Sequence, residues 1–328
     1  MGNRQTDQRF KYSWKELLTT KVHIEEVVSK RILVKGTKML LAGPPKVRKT
    51  TLITQLMYEI ANGLPALCTI DVPKPRKVLV FSLEDSEATL SERVQRIQRE
   101  YKTTNIGPYY VVAPVMPLTT KDGLAFAEAC IADVKPDVVV YDPLYKVNIE
   151  SENDAVALQR TLNTMDEIAY EHKLTTVLVH HTNKPAFDSL GRVIDRGFGA
   201  IRGSIALLAW PDTIALMFER NKSLWLDLML RHGASPPPIE LTFTDSGIFS
   251  AKLPSDGNSR RTGIAGVLAK EGPLSTDELA LRMGVTPQYV RTLVQPLEEE
   301  GVVSRKRSTT DKRSQVWALK GADAGTED

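Results

Sequence analysis

Short apolar runs alternate with longer amphipathic stretches through most of this chain, and that alternation restricts the fold more than any other feature. The runs at 37–42, 77–83, 109–113, 137–142, 175–181 and 213–219 are rich in Val, Leu and Ile and read as strands. Between them, residues 49–62, 86–101, 121–133 and 153–172 carry helical spacing. A helix between successive strands is the crossover that parallel pairing needs, so an α/β fold is expected: a mostly parallel sheet with helices on both faces. Shorter runs at 224–231 and 240–244 read as a hairpin-rich edge that ends this first domain.

The length of 328 residues accommodates about two domains at roughly 100–200 residues each. Residues 1–36 read as an N-terminal arm, 37–253 as the α/β domain, and 254–258 (PSDGN) as a flexible linker. Beyond the linker the pattern changes to three short helices, 259–270, 276–283 and 287–300, then two strands, 302–307 and 314–319. Ser275 with Glu278 forms a capping box, Thr286 and Pro287 an N-cap with proline in the first turn, and Gly284 and Gly301 stand just past helix ends. Residues 259–320 thus read as a winged helix-turn-helix and 321–328 as a disordered tail.

Apolar residues make up 42% and charged residues 25%, which excludes a wholly disordered or fibrous chain. No run is long and apolar enough for a membrane helix, and the opening residues lack a signal-peptide core, so a cytoplasmic protein without a membrane partner is expected. The two cysteines, Cys68 and Cys130, exclude a disulfide framework or a zinc cluster.

The stretch Gly43-Pro44-Pro45-Lys46-Val47-Arg48-Lys49-Thr50 follows one strand and opens a helix. It matches the phosphate-loop pattern G-x-x-x-x-G-K-[ST] at every fixed position but one. In that chemistry backbone N–H groups and a helix N-terminus face phosphate oxygens, Lys49 reaches the β- and γ-phosphates, and Thr50 holds Mg²⁺, with Thr51 beside it. Arg48 stands where the pattern has its second glycine. A side chain there crowds the loop or strains its backbone, or else adds a phosphate contact.

Asp142 and Glu84 each close an apolar run on the same expected edge. Asp142 suits a magnesium site, directly or through water, and Glu84 suits the polarisation of an attacking water; alone, each also fits a helix N-cap. His180 and His181 end another run on that edge, and strand alternation lets only one of them face a nucleotide, as a γ-phosphate sensor.

Taken in order, GPPKVRKT, LEDS (83–86), VVVYDPL (138–144), VHHTNK (179–184) and IRGSIAL (201–207) resemble the RecA-like ATPases of the RepA-type hexameric helicase group, over roughly residues 30–250. The resemblance implies a RecA-like sheet, ATP and Mg²⁺ as cofactors, DNA as partner, a hexameric ring, and a role in replication or recombination of a mobile element. It makes Lys49 and Thr50 Walker A, Glu84 the catalytic glutamate, Asp142 the Walker B aspartate and His180 or His181 the sensor. It also directs Arg93 at the nucleotide and Arg202 at a neighbouring subunit's nucleotide. Arg48 departs from the family, which points to slow or absent hydrolysis, and no arginine stands between Asp212 and Arg220 where the family carries its finger, leaving that role to Arg202 or Arg196. In such helicases the loop corresponding to 183–200 faces the ring channel, so Lys184, Arg192 and Arg196 are expected at single-stranded DNA.

In the C-terminal module Gln288, Tyr289 and Arg291 lie in the first turn of the expected recognition helix, and Arg305, Lys306, Arg307, Lys312 and Arg313 on the wing. Residues 259–320 hold 11 Lys and Arg against 7 Asp and Glu, while the whole chain carries +3, so the basic footprint is local. Pro296 is expected to kink or shorten the helix. The first reading is a DNA-dependent, helicase-like ATPase. A nucleotide-gated DNA-binding regulator without motor activity, and a pure interaction protein, are the alternatives.

Overall fold

The structure, a computed structural model, describes residues 12–20, 24–101, 107–148, 154–183, 186–187, 193–194, 197–201, 205–220, 222–244, 247–252, 257–283, 287–307 and 315–320. A short helix, α1 (Trp14–Thr19), precedes a small antiparallel ladder of β1 (Glu26–Val28) and β2 (Leu33–Val34). Strands and helices then alternate: β3 (Lys38–Gly43), α2 (Lys49–Asn62), β4 (Val78–Ser82), α3 (Glu87–Tyr101), β5 (Tyr109–Val112), α4 (Lys121–Val134) and β6 (Val138–Asp142). After β6 come α5 (Leu144–Val147), α6 (Ala155–His172), β7 (Thr175–His181) and a second ladder, β8 (Ala186–Phe187) with β9 (Val193–Ile194). A 3-10 turn (Gly197–Ala200) and α7 (Ile205–Ala209) lead into β10 (Thr213–Arg220), β11 (Ser223–Leu230), β12 (Ile239–Phe243) and β13 (Phe249–Lys252).

The central sheet runs in the order β13-β12-β11-β10-β3-β7-β6-β4-β5. From β10 to β5 every pairing is parallel, and β11, β12 and β13 extend the sheet antiparallel beyond β10. This is the RecA-like α/β fold that the strand–helix alternation and the motifs call for. Period-2 alternation divides each buried strand between two apolar layers. Met39 and Leu41 belong to the layer of Leu52, Ile53, Met57 and Ile60 from α2. Leu40 and Ala42 belong to the opposite layer, with Ile131 of α4 and Leu158, Leu162 and Met165 of α6. Both faces of β3 are therefore dry, which is why its sequence is apolar without interruption.

The ends of β3, β4, β6 and β7 fall on one edge of the sheet, held in register by Ser82 against Asp142, Ala42 against His180 and Gly43 against His181. Residues 24–36, read from sequence as part of an arm, pack inward: Val27, Val28, Ile32 and Leu33 join the α2-side layer. Strands of two and three residues are too short to display a period. Among the described residues no helix is long and apolar enough to cross a membrane.

The C-terminal part consists of α8 (Gly257–Glu271), α9 (Thr276–Met283), α10 (Pro287–Glu299) and the antiparallel pair β14 (Val303–Arg307) and β15 (Gln315–Leu319). Its own core gathers Ile264, Leu268, Leu279, Val290, Val294, Leu297, Val303 and Trp317. The Trp317 indole N–H donates to the Thr276 hydroxyl at 3.0 Å, tying β15 to α9. The capping box forms as expected, with Glu278 N–H on Ser275 Oγ at 3.2 Å and Ser275 N–H on Glu278 Oε2 at 2.8 Å. Helix α8 starts at Gly257, inside the stretch read as linker. Pro296 lies within α10 without ending it. It falls in the last turn, which closes through Glu300 N–H on Pro296 O at 2.8 Å and a left-handed Gly301, so the missing N–H costs one bond near a terminus.

Candidate functional site

β3 ends against β10 so closely that a Cβ on Gly43 would lie 2.6 Å from the Met217 carbonyl oxygen; only glycine fits. The loop then turns through left-handed conformations at Lys46 and Arg48, both with φ of 67°, and enters α2 at Lys49. Pro45 and Lys46 are exposed, Pro44 is half-buried, Val47 packs against the α2-side core, and Thr50 and Thr51 sit half-buried in the first helical turn. Arg48 takes up neither a cramped nor an inward position. Its guanidinium carbon stands 3.9 Å from the centroid of the Phe243 ring on β12, and Phe243 packs at 4.8 Å against Phe249 on β13.

Lys49 is 6% exposed. Its Nζ donates to the carbonyls of Gly43 and Pro44, each at 2.9 Å, and lies 3.1 Å from His181 Nδ1. Burial pushes its pKa down to about 8, against the pull of Asp142 and Glu84. Asp142, at the end of β6, is 4% exposed. Burial pushes its carboxyl up to about 7, the Thr50 hydroxyl that hydrogen-bonds it opposes this, the carboxylates of Glu84 and Asp85 push it further up and Lys49 pulls it down. The Leu83 N–H donates to the Asp142 carbonyl at 2.9 Å, so the turn carrying Glu84 and Asp85 is pinned to the end of β6.

The edge thus brings together Lys49, Thr50, Glu84, Asp142 and His181, five residues that the sequence scatters over 132 positions, the span from Lys49 to His181. His180, one residue earlier on β7, is fully buried and turned by strand alternation to the other face. Arg93 reaches the edge from α3, but as the bidentate partner of Asp85, with Nη2 to Oδ1 at 3.1 Å; the Ser82 hydroxyl donates to the same carboxylate at 3.3 Å. Arg202, with Lys184, Arg192 and Arg196, lies outside the described residues. Ile201 bridges to Thr182, and Thr182 N–H donates to the Gly43 carbonyl at 3.1 Å, which brings the chain just before Arg202 back to the phosphate-loop edge.

Three residues escaped the reading of the sequence. Asp85 follows Glu84 directly, and nothing in LEDS says which carboxylate takes an arginine. Tyr145 stands in α5, three residues past Asp142, and its hydroxyl donates to Glu84 Oε1. Phe243 lies far along the chain on an antiparallel strand. No motif marks it, and β10 and β11 stand between its strand and β3 in the sheet. Among the described residues no group of three or more His, Cys, Asp or Glu gathers that would hold a metal by protein ligands alone.

In the C-terminal part Gln288 and Tyr289 fall in the first turn of α10, and Arg291 on that helix is exposed. Arg305 and Arg307 are exposed on β14 and Lys306 is half-buried, while Lys312 and Arg313 lie outside the described residues. Arg305 pairs with Glu298 at 3.3 Å and its guanidinium carbon sits 4.8 Å from the centroid of the Trp317 ring.

The model of the AAA domain family matches residues 5–186, and that of the MarR family matches residues 258–314. The DNA repair protein RadA of Aquifex aeolicus (strain VF5) is 25% identical over 230 residues, which are 68% of this chain and 44% of that protein. The chain therefore spans less than half the length of this curated relative. A solved structure, a KaiC-like protein from the hyperthermophilic archaeon Pyrococcus horikoshii OT3, aligns with a TM-score of 0.48 at 14% identity, over 70% of this chain and 97% of that one.

Proposed function

The chain belongs to the AAA domain family, and from that premise we propose that it binds and hydrolyses ATP with Mg²⁺ and acts on DNA through its C-terminal winged helix, as the helicase-like ATPases of the RepA-type group do. One observation carries the reading: a buried lysine and a buried carboxylate meet at the end of a phosphate-loop strand, with their pKa values driven to about 8 and about 7 by burial. Such a pair favours a ligand that brings anionic oxygens to Lys49 and a cation to Asp142. The residues present fit magnesium nucleotide, because a hydroxyl and one carboxylate are what Mg²⁺ takes from a protein when phosphates supply the rest.

Mg²⁺ held at this edge would supply neutralisation of charge on the phosphate oxygens. Lys49 exchanges the Gly43 and Pro44 carbonyls for phosphate oxygens, and the amides of the loop and of the first turn of α2 face the same oxygens. Thr50 and Asp142 would hold the metal, Asp142 directly or through water. Glu84 orients the attacking water and accepts its proton, and His181, beside Lys49, senses the γ-phosphate. Arg93 acts from its anchored place on Asp85, holding that carboxylate neutralised next to Asp142. Arg202 is the residue offered to a neighbouring copy in a ring. The role in replication or recombination of a mobile element, and a cytoplasmic setting, come with this reading.

A second reading, a nucleotide-gated DNA-binding regulator, is favoured by the MarR family match over residues 258–314. Phosphate release with and without single-stranded DNA, beside unwinding of a forked duplex, separates the two. The helicase-like reading expects DNA-stimulated release and strand separation, both lost in Lys49→Ala; the regulator expects nucleotide-dependent affinity for duplex DNA and no unwinding. Undiminished release in Lys49→Ala removes the assigned site. A Glu84→Gln variant is expected to bind ATP and release phosphate roughly 10²–10⁴-fold more slowly, the usual worth of a positioned general base.

A further inference from the structure

The chemistry above gives Tyr145 no part, yet Tyr145 touches both sides of the site. It stands on α5, the single turn that follows Asp142 and Pro143. Its hydroxyl donates to Glu84 Oε1. Its ring lies 6.1 Å from the His181 ring, centroid to centroid, at 35°. His181 in turn lies 3.1 Å from Lys49 Nζ. A path of direct contacts therefore runs from the phosphate-loop lysine through a histidine and a tyrosine to the glutamate.

We propose that Tyr145 is a positioning residue, a latch that holds Glu84 away from its water while Lys49 rests on the Gly43 and Pro44 carbonyls and His181, a role that rests on the reading of Glu84 as the general base. The chemistry is that of one acceptor with two claimants. A carboxylate that accepts a phenol O–H is a weaker base and is held in one rotamer, and both act against its taking a proton from an attacking water. Glu84 is exposed at the end of a turn, so its rotamer is set by what bonds it rather than by packing. A γ-phosphate that draws Lys49 from His181 changes the neighbour against which the Tyr145 ring rests. Arrival of the phosphate loosens the latch without breaking it, so in the nucleotide-bound chain Glu84 still divides its time between the Tyr145 hydroxyl and the water. Idle turns of the catalytic carboxylate are suppressed in the same way that a lid or loop gates other sites, here with a single hydroxyl.

The test uses the full chain and Tyr145→Phe, which keeps the ring and drops the hydroxyl at a position that is 38% exposed. Steady-state phosphate release is measured at saturating MgATP without DNA, and the Kd of a non-hydrolysable ATP analogue is measured alongside. The expected result is a kcat raised by about tenfold, the scale of one hydrogen bond to a charged group, with KM and the analogue's Kd unchanged. A residue that only supports the fold yields no gain in rate. Tyr145→Phe no faster than the parent, with Glu84→Gln inactive, overturns the latch and leaves the proposed function standing. Full release from Glu84→Gln, or none from the parent and Tyr145→Phe alike when single-stranded DNA is also supplied, overturns the reading of the site and the latch with it.

Discussion

Two regions of this molecule gather charge, and they do so by opposite means. At the sheet edge, Lys49 and Asp142 are 6% and 4% exposed, and burial moves the pKa of each toward neutrality. On the winged helix, Arg291, Arg305 and Arg307 stand in solvent. Buried charges are costly until a complementary ligand arrives, so they select a ligand by its charge pattern and geometry. Exposed charges cost little, are screened by salt, and add up over a surface. The first arrangement suits a small ligand with a metal, and the second a long polyanion.

Replacing Asp142 is the hardest blow to the first half of that contrast. Asp142→Asn is expected to lose the Mg²⁺ dependence of ATP binding, at a cost of at least the roughly 10–100-fold that the loss of a metal's supporting partner brings. The pH dependence follows from the same group. Its folded pKa of about 7 lies above the ordinary 3.8, so the fold holds its proton more tightly than the unfolded chain does. The stability this contributes is fully present below 3.8 and is lost as pH rises through about 7. Above that pH the Asn variant should unfold at a higher temperature than the parent in the absence of nucleotide. Magnesium competes with that proton, so calorimetric titrations should show MgATP affinity in the parent falling toward tenfold per pH unit below about 7, and not in Asp142→Asn. Glu59, buried on α2 among Gln55, Tyr101 and the Leu67 N–H, is also pushed up to about 7 by burial, so the unfolding curve carries both groups while the magnesium dependence carries Asp142 alone. A flat affinity from pH 6 to 8 breaks the contrast between the two regions.

The winged helix should respond more mildly, and unevenly. Arg291→Ala is expected to weaken duplex binding by several-fold and to reduce the slope of log K against log salt by about one. Arg305→Ala should do less, because its guanidinium is already shared between Glu298 and Trp317. Glu298→Gln then frees Arg305 and should raise affinity by about twofold to threefold at low salt, an advantage that vanishes as salt rises. Fluorescence anisotropy at about 50 and 200 mM salt reads all three. Equal losses from Arg291→Ala and Arg305→Ala would show that the wing's charge is as available as the helix's, and the exposed region would be simpler than its ion pairs suggest.

Much of this is legible in the sequence, for a physical reason. Strands dry on both faces write themselves as continuous apolar runs, so β3, β4, β6, β7 and β10 can be read from sequence and their carboxyl ends located. The phosphate loop and the carboxylates that close β4 and β6 were legible because each sits at a chain position that a strand end defines. The hairpin of β1 and β2 was not, being too short to show a period. The partners of the site were not either: Asp85 holding Arg93, Tyr145 holding Glu84 and Phe243 under Arg48 are contacts between segments whose approach depends on sheet order. Sequence places side chains along an edge; topology alone says which of them meet.

Arg48 sharpens the comparison most finely, because it is an exposed charge set inside the region of buried ones. Two terms oppose each other there. A residue with a Cβ at φ of 67° bears a strain of about 1–2 kcal/mol that glycine would relieve. The guanidinium over Phe243 returns about 0.5–1 kcal/mol at an exposed position, and glycine also frees the unfolded chain by a similar amount. Arg48→Gly should therefore change stability by less than about 1 kcal/mol, a few degrees in Tm at most. The informative quantity is the coupling between Arg48→Gly and Phe243→Leu in a double-mutant cycle, expected near 0.5–1 kcal/mol, roughly the worth of one cation–π contact. Because the loop already adopts the left-handed turn and the side chain already lies on β12, phosphate release in Arg48→Gly should stay within about twofold of the parent, a barrier change below 0.5 kcal/mol or so. A large gain in release would mean that the missing glycine throttles the site, and the arginine would then belong to the chemistry of the edge rather than to its packing.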